Sequence, residues 1–240
     1  PTTVRIRYTI PANGACPATT DDVVFTVDDA GCPNLLRNPS FATYSSCPTG
    51  MSQISRADNW YNYTATTTDY YNCAVTTVTT AGANPPPTPL PGGGTGYIGV
   101  HSFNGGSMPW VEYAGLCLST PLVNGTTYEF SFSVAGANNS NPNRDFGIFG
   151  QVSCGTLTTI TNRSGTSPYE ALLPRPGHTN LLGSTAVSVS NGSWTRYTIT
   201  FTPTQGYPGI VVGPSTIWGT STTGSSSDYT YMDDFELCVQ

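Results

Sequence analysis

Few residues of this sequence combine types and spacing that could perform catalysis. His101 and His178 are the two histidines, and neither lies beside a serine in a G-x-S-x-G turn, the pattern that presents a serine nucleophile. A Ser-His-Asp triad needs a histidine that reaches the serine and is oriented by a carboxylate. Nothing in the spacing indicates such an arrangement, so we expect both histidines to have loop or strand-edge roles.

The carboxylates are also poorly placed for acid and base chemistry. Adjacent pairs occur at Asp21–Asp22, Asp28–Asp29 and Asp233–Asp234, but neighbours on a strand face opposite sides of a sheet. A glycosidase needs two carboxyl groups facing each other across roughly 5 to 9 Å of cleft. Other candidates are Asp58, Asp69, Glu112, Asp145 and Glu170. Their spacing gives no sign of a pair, and we predict that the protein is not an enzyme.

Aromatic residues are better candidates for binding. Tyrosine and tryptophan rings stack on the C–H faces of sugar rings while their polar groups hold hydrogen bonds. The candidate sugar-binding residues are Trp60, Tyr61, Tyr63, Tyr70 and Trp110. Two other interpretations remain open, and we favour them: the rings pin a long loop to the domain, or they form a subunit contact, where aromatic residues are also enriched.

The cysteines favour disulfide bonds. Seven are spread along the chain without a C-x-x-C pair, a pattern that suits disulfides in an oxidising compartment better than zinc or redox chemistry. The predicted pairs are Cys47–Cys73, Cys32–Cys238 and Cys117–Cys154. Cys16 would then be left to cross to a neighbouring molecule. A competing set joins Cys16 to Cys32 and leaves Cys154 or Cys238 over.

The composition limits the partners and the location. Only 9% of residues are charged and none is lysine, whereas about 25% are charged in an average soluble protein. The net charge of −6 argues against nucleic acid and anionic membranes, because a phosphate surface needs clustered cations. No apolar run approaches the roughly 20 residues of a membrane span. We expect an extracellular protein of the cell surface.

Period-two patterns predict the fold. The stretch from Tyr229 to Val239 alternates two faces, and Tyr128 to Val134 does so most clearly. Many short strands separated by Gly, Asn and Pro turns, without a long helical stripe, predict an all-β protein with a jelly-roll β-sandwich. If the last strand pairs with residues 34–41, residues 33–240 close into one domain, and residues 1–32 remain as an N-terminal two-stranded β arm.

The arm has one apolar face. Its candidate intersubunit residues are Val4, Ile6, Tyr8, Ile10, Val23, Phe25, Val27 and Cys16. A lone two-stranded hairpin is marginal in water, so the arm must dock on something. Open sheet edges accept added strands, and strand donation from head to tail that does not close into a ring gives a filament.

Several motifs occur in an order that resembles a known family. They are NLLRNPSF from Asn34, DYYNC ending at Cys73, GTGYIGV, WVEYAGLCLSTPLVNGTTYEFSFSVA, IFGQVSC, W-x-x-Y-x-I-x-F-x-P and YMDDFELC ending at Cys238. This string resembles the galactose-binding-like jelly-roll domain of secreted Bacteroidota surface and adhesin proteins. The arm is similar to the last two strands of an immunoglobulin-like domain. The resemblance implies the fold and a binding, adhesive or structural role, without one particular chemistry.

The same resemblance bears on Asp233 and Asp234. Related jelly rolls often carry a structural calcium ion, and either aspartate could bind one with carbonyl oxygens from the loop after Phe41, since hard cations take oxygen ligands. The alternative is a buried aspartate that accepts backbone hydrogen bonds. No other cofactor is expected.

Two functions follow from these observations. The first is a non-enzymatic extracellular structural protein, the subunit of a cell-surface filament or adhesive assembly in which copies of the chain are joined by N-terminal strand donation. The alternative is a carbohydrate-binding or adhesin module of a larger secreted protein, whose partners are glycans.

Overall fold

The computed structural model describes residues 2–13, 19–27, 32–64, 67–73, 88–104, 109–137, 143–157, 173–174, 176–218 and 229–240. The chain divides into two compact units, Pro1–Pro33 and Asn34–Gln240. Among the residues described, the helical turns are two 3-10 turns, at Ile54–Arg56 and Pro91–Gly93. No helix in this described part is long and apolar enough to cross a membrane.

The smaller unit is a hairpin. Strand β1 (Thr2–Ile10) pairs antiparallel with β2 (Thr19–Val27), in a register that runs from Thr2 opposite Val27 to Ile10 opposite Thr19. Tyr8 and Ile10 are exposed, at 66% and 54% of their surface. For the other predicted contact residues in these strands (Val4, Ile6, Val23, Phe25 and Val27), the structure describes the backbone and not the side chain, and Cys16 lies outside the described residues.

The larger unit is a sandwich of two antiparallel sheets. Its strands are β3 (Trp60–Asn62), β4 (Asp69–Tyr71), β5 (Tyr97–Asn104), β6 (Pro109–Val111), β7 (Ala114–Leu122), β8 (Tyr128–Gly136), β9 (Asn143–Gln151), β10 (Thr179–Ser188), β11 (Thr195–Phe201), β12 (Tyr207–Pro214) and β13 (Tyr229–Val239). The five-stranded sheet has the order β10-β9-β12-β7-β3. The six-stranded sheet has the order β11-β8-β13-β5-β4, with β6 beside β5. Successive strands from β7 to β9 and from β11 to β13 alternate between the sheets, which confirms the predicted jelly-roll sandwich.

The core lies between the two sheets. Strand β8 turns Phe130, Phe132 and Val134 inward, and each is at most 1% exposed, as its period-two pattern predicts. Phe235 from β13 lies at the centre of the aromatic packing. Its ring centroid is 5.2 Å from that of Phe41 and 5.5 Å from that of Phe130. The aromatic core therefore ties the last strand to both sheets.

Residues 34–41 do not form the first strand that the sequence predicts. Leu35 donates its N–H to the carbonyl of Leu237, but the next contacts come from the side chain of Asn34, whose Oδ1 accepts from Leu237 N–H at 3.0 Å. Phe235 N–H then bonds the carbonyl of Pro39. Proline lacks the N–H that a ladder needs, so the segment follows β13 irregularly. In the six-stranded sheet, β13 pairs with β8 and β5 instead.

Disulfides hold two of the loops. Cys47 is bonded to Cys73 with their Cα atoms 5.8 Å apart, and Cys117 is bonded to Cys154 with their Cα atoms 5.6 Å apart. Cys32 and Cys238 are each disulfide-bonded as well. The predicted joining of Cys32 to Cys238 stays a prediction, and Cys16 lies outside the described residues.

Candidate functional site

The outer face of the five-stranded sheet is closed by the chain that follows β9. Phe149 and Val211 point outward from β9 and β12, yet both are 0% exposed. Leu157 and Leu173 pack against this face. Leu157 N–H donates to the carbonyl of Tyr63 at 2.9 Å. Among the residues that the structure describes, the outward side chains of β9 and β12 in this cluster are therefore covered and offer no open ring or apolar face to a ligand.

Tyr61 anchors that covering segment. Its hydroxyl donates to Gln151 Oε1 at 2.9 Å and accepts from the N–H of Gly155 at 3.2 Å. Burial raises the pKa of the Tyr61 phenol. The ring lies over Gly115, where a Cβ would come within 2.3 Å of the ring atom Cε2. The glycine therefore makes room for a packing tyrosine, and Tyr61 has a structural task here.

Three other predicted sugar-binding residues are packing residues. Trp60 is 3% exposed, and its ring centroid lies 4.8 Å from that of Phe41. Tyr70 is fully buried and donates its hydroxyl to the carbonyl of Phe41 at 2.8 Å. Tyr63 is 2% exposed. Trp60 and Tyr70 thus pack in the core between the sheets, and Tyr63 packs with Tyr113 and Phe149. This placement agrees with the interpretation that these rings pin a loop to the domain, and their part in sugar binding stays a prediction.

The outer face of the six-stranded sheet carries a second aromatic group. Tyr229 and Tyr231 on β13 point away from the core and cluster with Tyr71 and Tyr97. The rings of Tyr71 and Tyr97 are stacked, with centroids 4.7 Å apart and planes 8° apart. Tyr231 meets both of them edge to face, at 5.8 and 5.6 Å. We call these four residues the tyrosine cluster.

One end of the tyrosine cluster opens to solvent. Tyr97 and Trp194 are only partly buried, and their ring centroids lie 6.5 Å apart with planes at 69°. Arg196, two residues beyond Trp194 on the same side of the sheet, pairs with Asp234 at 2.5 Å and Glu236 at 2.7 Å. About a third of each of these charged side chains is exposed. We call Tyr97, Trp194 and Arg196 the platform.

A third aromatic group lies farther along β5 on the same face. The rings of Phe103 and Trp110 are stacked, with centroids 6.1 Å apart and planes 12° apart. Trp110, which the sequence predicts as a sugar contact, is partly buried. Phe103 lies six residues beyond Tyr97, which corresponds to about 20 Å of strand. Of the five predicted sugar contacts, Trp110 is thus the one on the same face as the platform.

Two buried carboxyl groups lie beneath this face. Asp69 accepts hydrogen bonds from Ser52 N–H at 2.6 Å and from the Tyr229 hydroxyl at 2.7 Å. Glu112 accepts from Trp110 Nε1 at 2.9 Å and from His101 N–H at 2.8 Å. Both are at most 3% exposed. Burial, and then the nearby Asp69, raise the pKa of Glu112 to about 8. Each carboxyl group is buried and accepts hydrogen bonds from neighbouring side-chain and backbone donors, so both have a supporting role in the packing of this face.

The aspartates predicted as calcium ligands differ in their surroundings. The carboxylate of Asp234 forms an ion pair with Arg196. Asp233 is fully buried and accepts from the N–H of Asp234 at 2.7 Å. Its other oxygen, Oδ2, is buried without a hydrogen-bond partner among the residues that the structure describes. Burial raises the pKa of Asp233 to about 8. Such an oxygen suits a cation or a proton, so Asp233 fits the predicted ion better than Asp234 does.

Comparisons with known proteins find resemblance only in structure. No protein-family model matches the chain, and no curated protein matches it. The CBM22-1 xylan-binding domain of Paenibacillus barcinonensis Xyn10C is 11% identical, with a TM-score of 0.44 over 87% of this chain and 95% of that one. The cleaved adhesin domain of Lys-gingipain from Porphyromonas gingivalis is 12% identical, with a TM-score of 0.40 over 84% and 96%. TmCBM61 in complex with β-1,4-galactotriose is 12% identical, with a TM-score of 0.37 over 87% and 99%.

Proposed function

We propose that the larger unit is a non-enzymatic, extracellular carbohydrate-binding module whose ligand rests on the platform. The observation that carries this proposal is the pair of partly exposed rings of Tyr97 and Trp194, set at 69° to each other beside Arg196. Ring faces pack against the C–H surface of a sugar. Arg196, with Asp234 and Glu236, supplies donors and acceptors for hydroxyl groups. A ligand site of this kind combines apolar rings with a few polar groups that fix orientation.

Removal of either platform ring is expected to weaken binding strongly. Trp194→Ala and Tyr97→Ala each delete a stacking surface, and the loss of one ring contact weakens affinity by roughly tenfold or more. Affinity electrophoresis in gels containing xylan, β-1,4-galactan, mixed-linkage β-glucan or polygalacturonate measures the effect. The matched control is Tyr44→Ala, because Tyr44 is 40% exposed and lies outside the platform.

The migration of the four proteins shows whether the ligand binds at the platform. Retardation of the wild type and of Tyr44→Ala, together with free migration of both platform variants, supports the proposal. Equal retardation of all four proteins contradicts it and places the site elsewhere. Trp110→Ala extends the comparison: if the ligand is a chain long enough to reach both aromatic groups, this variant weakens binding of polysaccharides but leaves binding of short oligosaccharides intact.

A second candidate function concerns the arm. Tyr8 and Ile10 are 66% and 54% exposed in a sheet of two strands, and such a sheet gains stability by pairing with further strands. As the sequence predicts, the arm would donate β1 and β2 to another copy of the chain at the cell surface. Deletion of residues 1–33 is expected to leave a folded monomer in light scattering and to abolish filaments in electron micrographs. Filaments that persist after the deletion would contradict strand donation.

A further inference from the structure

We propose that Asp69 is a positioning residue for the platform, holding the tyrosine cluster in the orientation on which Tyr97 rests. The inference rests on the proposed carbohydrate-binding function and concerns the regulation of that site by pH. Asp69 has no surface of its own to offer a ligand, because it is 3% exposed. Its influence therefore passes through the side chains that it contacts.

Both oxygens of Asp69 are engaged. Oδ1 accepts from the N–H of Ser52 at 2.6 Å, which fixes the carboxylate from the loop side. Oδ2 accepts from the hydroxyl of Tyr229 at 2.7 Å, and that hydroxyl lies 2.8 Å from the hydroxyl of Tyr71. Gly99 makes space for this group, since a Cβ there would come within 1.8 Å of the Tyr229 oxygen. The carboxylate thus orients two phenols from two strands.

The contacts continue to the solvent. The ring of Tyr71 stacks on Tyr97 at 4.7 Å, and Tyr97 meets Trp194 at 6.5 Å. The route from Asp69 to the platform consists of short hydrogen bonds and ring contacts. Aromatic side chains have only two rotatable bonds, so a tilt of Tyr71 has to be taken up by Tyr97. Loss of the hydrogen bonds at Asp69 therefore changes the angle between the platform rings.

The ionisation of Asp69 sets the direction of the hydrogen bonds. A carboxylate only accepts, so the Tyr229 hydroxyl donates to Asp69. The Tyr71 hydroxyl, which hydrogen-bonds both Asp69 and the Tyr229 hydroxyl, is held by the same carboxylate. A protonated Asp69 can also donate, so the tyrosine hydroxyls are no longer all directed toward it as donors. Burial raises the pKa of Asp69 above its ordinary value, so this change occurs at a higher pH than the protonation of an exposed aspartate. The titratable groups that interact with Asp69 are Tyr71 from β4, Tyr229 and Tyr231 from β13, and Glu112, which follows β6. His101 from β5 contacts the ring of Tyr229.

The test uses variants that remove one polar group and keep the ring. The test variants are Tyr229→Phe and Asp69→Asn. The control is Tyr113→Phe, because the Tyr113 hydroxyl is equally buried, accepts the N–H of Leu173 and packs against the five-stranded sheet, away from the platform. Affinity for the same four polysaccharides is measured across the acidic to neutral range. We expect wild-type affinity to fall as the pH is lowered, Tyr229→Phe to bind several-fold to about tenfold more weakly at neutral pH, and Asp69→Asn to lose the pH dependence. Tyr113→Phe should behave as the wild type.

Near-ultraviolet circular dichroism of the ligand-free protein gives a second readout. The tyrosine signal should change with acidification in the wild type and in Tyr113→Phe, but not in Asp69→Asn. If Asp69→Asn does not fold, Tyr229→Phe carries the test alone. Wild-type affinity and pH profile in Tyr229→Phe, with binding lost in Trp194→Ala, overturn the role of Asp69 and leave the proposed function standing. Absence of wild-type binding to every polysaccharide overturns the proposed function and this inference together.

Discussion

The protein is expected to become less stable as the pH rises from about 5 to about 9, because two buried carboxyl groups keep their protons longer in the folded state than in the unfolded chain. The pKa of Glu112 is raised from 4.5 to about 8 and that of Asp233 from 3.8 to about 8. Between these limits the folded state binds more protons, so stability falls with pH. It levels off above about pH 8, where both states are ionised. The loss should amount to several kcal/mol, since one unit of pKa shift corresponds to about 1.4 kcal/mol.

Amide variants separate the two groups. Glu112→Gln and Asp233→Asn cannot ionise at these positions, so each should flatten the pH dependence of the thermal midpoint. The double variant should flatten it most and leave the contribution of Asp69, whose pKa burial also raises. The readout is the slope of the thermal midpoint against pH, not the midpoint itself. The NH2 group of a glutamine placed at the position of Oε2 cannot accept the N–H of His101, so the midpoint also shifts for this reason. A midpoint that rises from pH 5 to pH 9 in the wild type would show that these acids are ionised in the folded protein throughout.

The same thermal unfolding experiment can be repeated with calcium chloride. If an ion binds at Asp233, it replaces the proton there, and binding to the folded state alone raises the midpoint. The wild type should then be stabilised by calcium chloride at about pH 9 and much less at about pH 5, where protons compete. Asp233→Asn should not respond. An unchanged wild-type midpoint at every calcium concentration would leave Asp233 as a protonated buried aspartate.

Replacement of Phe235 by alanine is expected to cost about 3 to 5 kcal/mol of unfolding free energy, the usual range for a large ring removed from a core. Phe235 is 1% exposed and packs against Phe41, Trp60 and Phe130 with centroid distances of 5.2 to 5.5 Å. Urea unfolding measures the change. The matched control on the same strand is Val239→Ala, because Val239 is 51% exposed. It should change stability by no more than about 0.5 kcal/mol.

The contrast between these two variants tests the placement of β13. If Phe235→Ala and Val239→Ala lower the urea midpoint equally, the inward face of β13 is not the one that carries Phe235. A normal near-ultraviolet spectrum for Phe235→Ala would likewise contradict a central position among the aromatic rings.

The sheets could be predicted from sequence because their alternation is local. Phe130, Phe132 and Val134 recur every second residue, and burial on one face requires that period. The failure at residues 34–41 has a different cause. There Pro39 cannot donate, and the side chain of Asn34 replaces part of a backbone ladder, a contact that a hydrophobic pattern does not report.

The site was harder to predict. The run of aromatics from residue 60 to residue 71 is dense, but density does not reveal which rings face the core. Trp60 and Tyr70 face it. Tyr97 lies on β5 and Arg196 on β11, with Trp194 directly before β11, and these two strands are three positions apart in the strand order. Only the path of the chain brings them to one face, so no local pattern points to them. The alternation of Tyr229 and Tyr231 on β13 is the one sequence signal that leads to this face.

Amide chemical-shift mapping can show whether the carbohydrate binds at the platform. The protein, labelled with nitrogen-15, is titrated with oligosaccharides prepared from whichever of the four polysaccharides retards it. We expect the shifts to concentrate at Tyr97, Trp194 and Arg196 and in the adjoining part of β8, while the amides on the outer face of the five-stranded sheet stay unchanged. Shifts centred on the segment around Gly155 and Leu157, with none at Trp194, would contradict it.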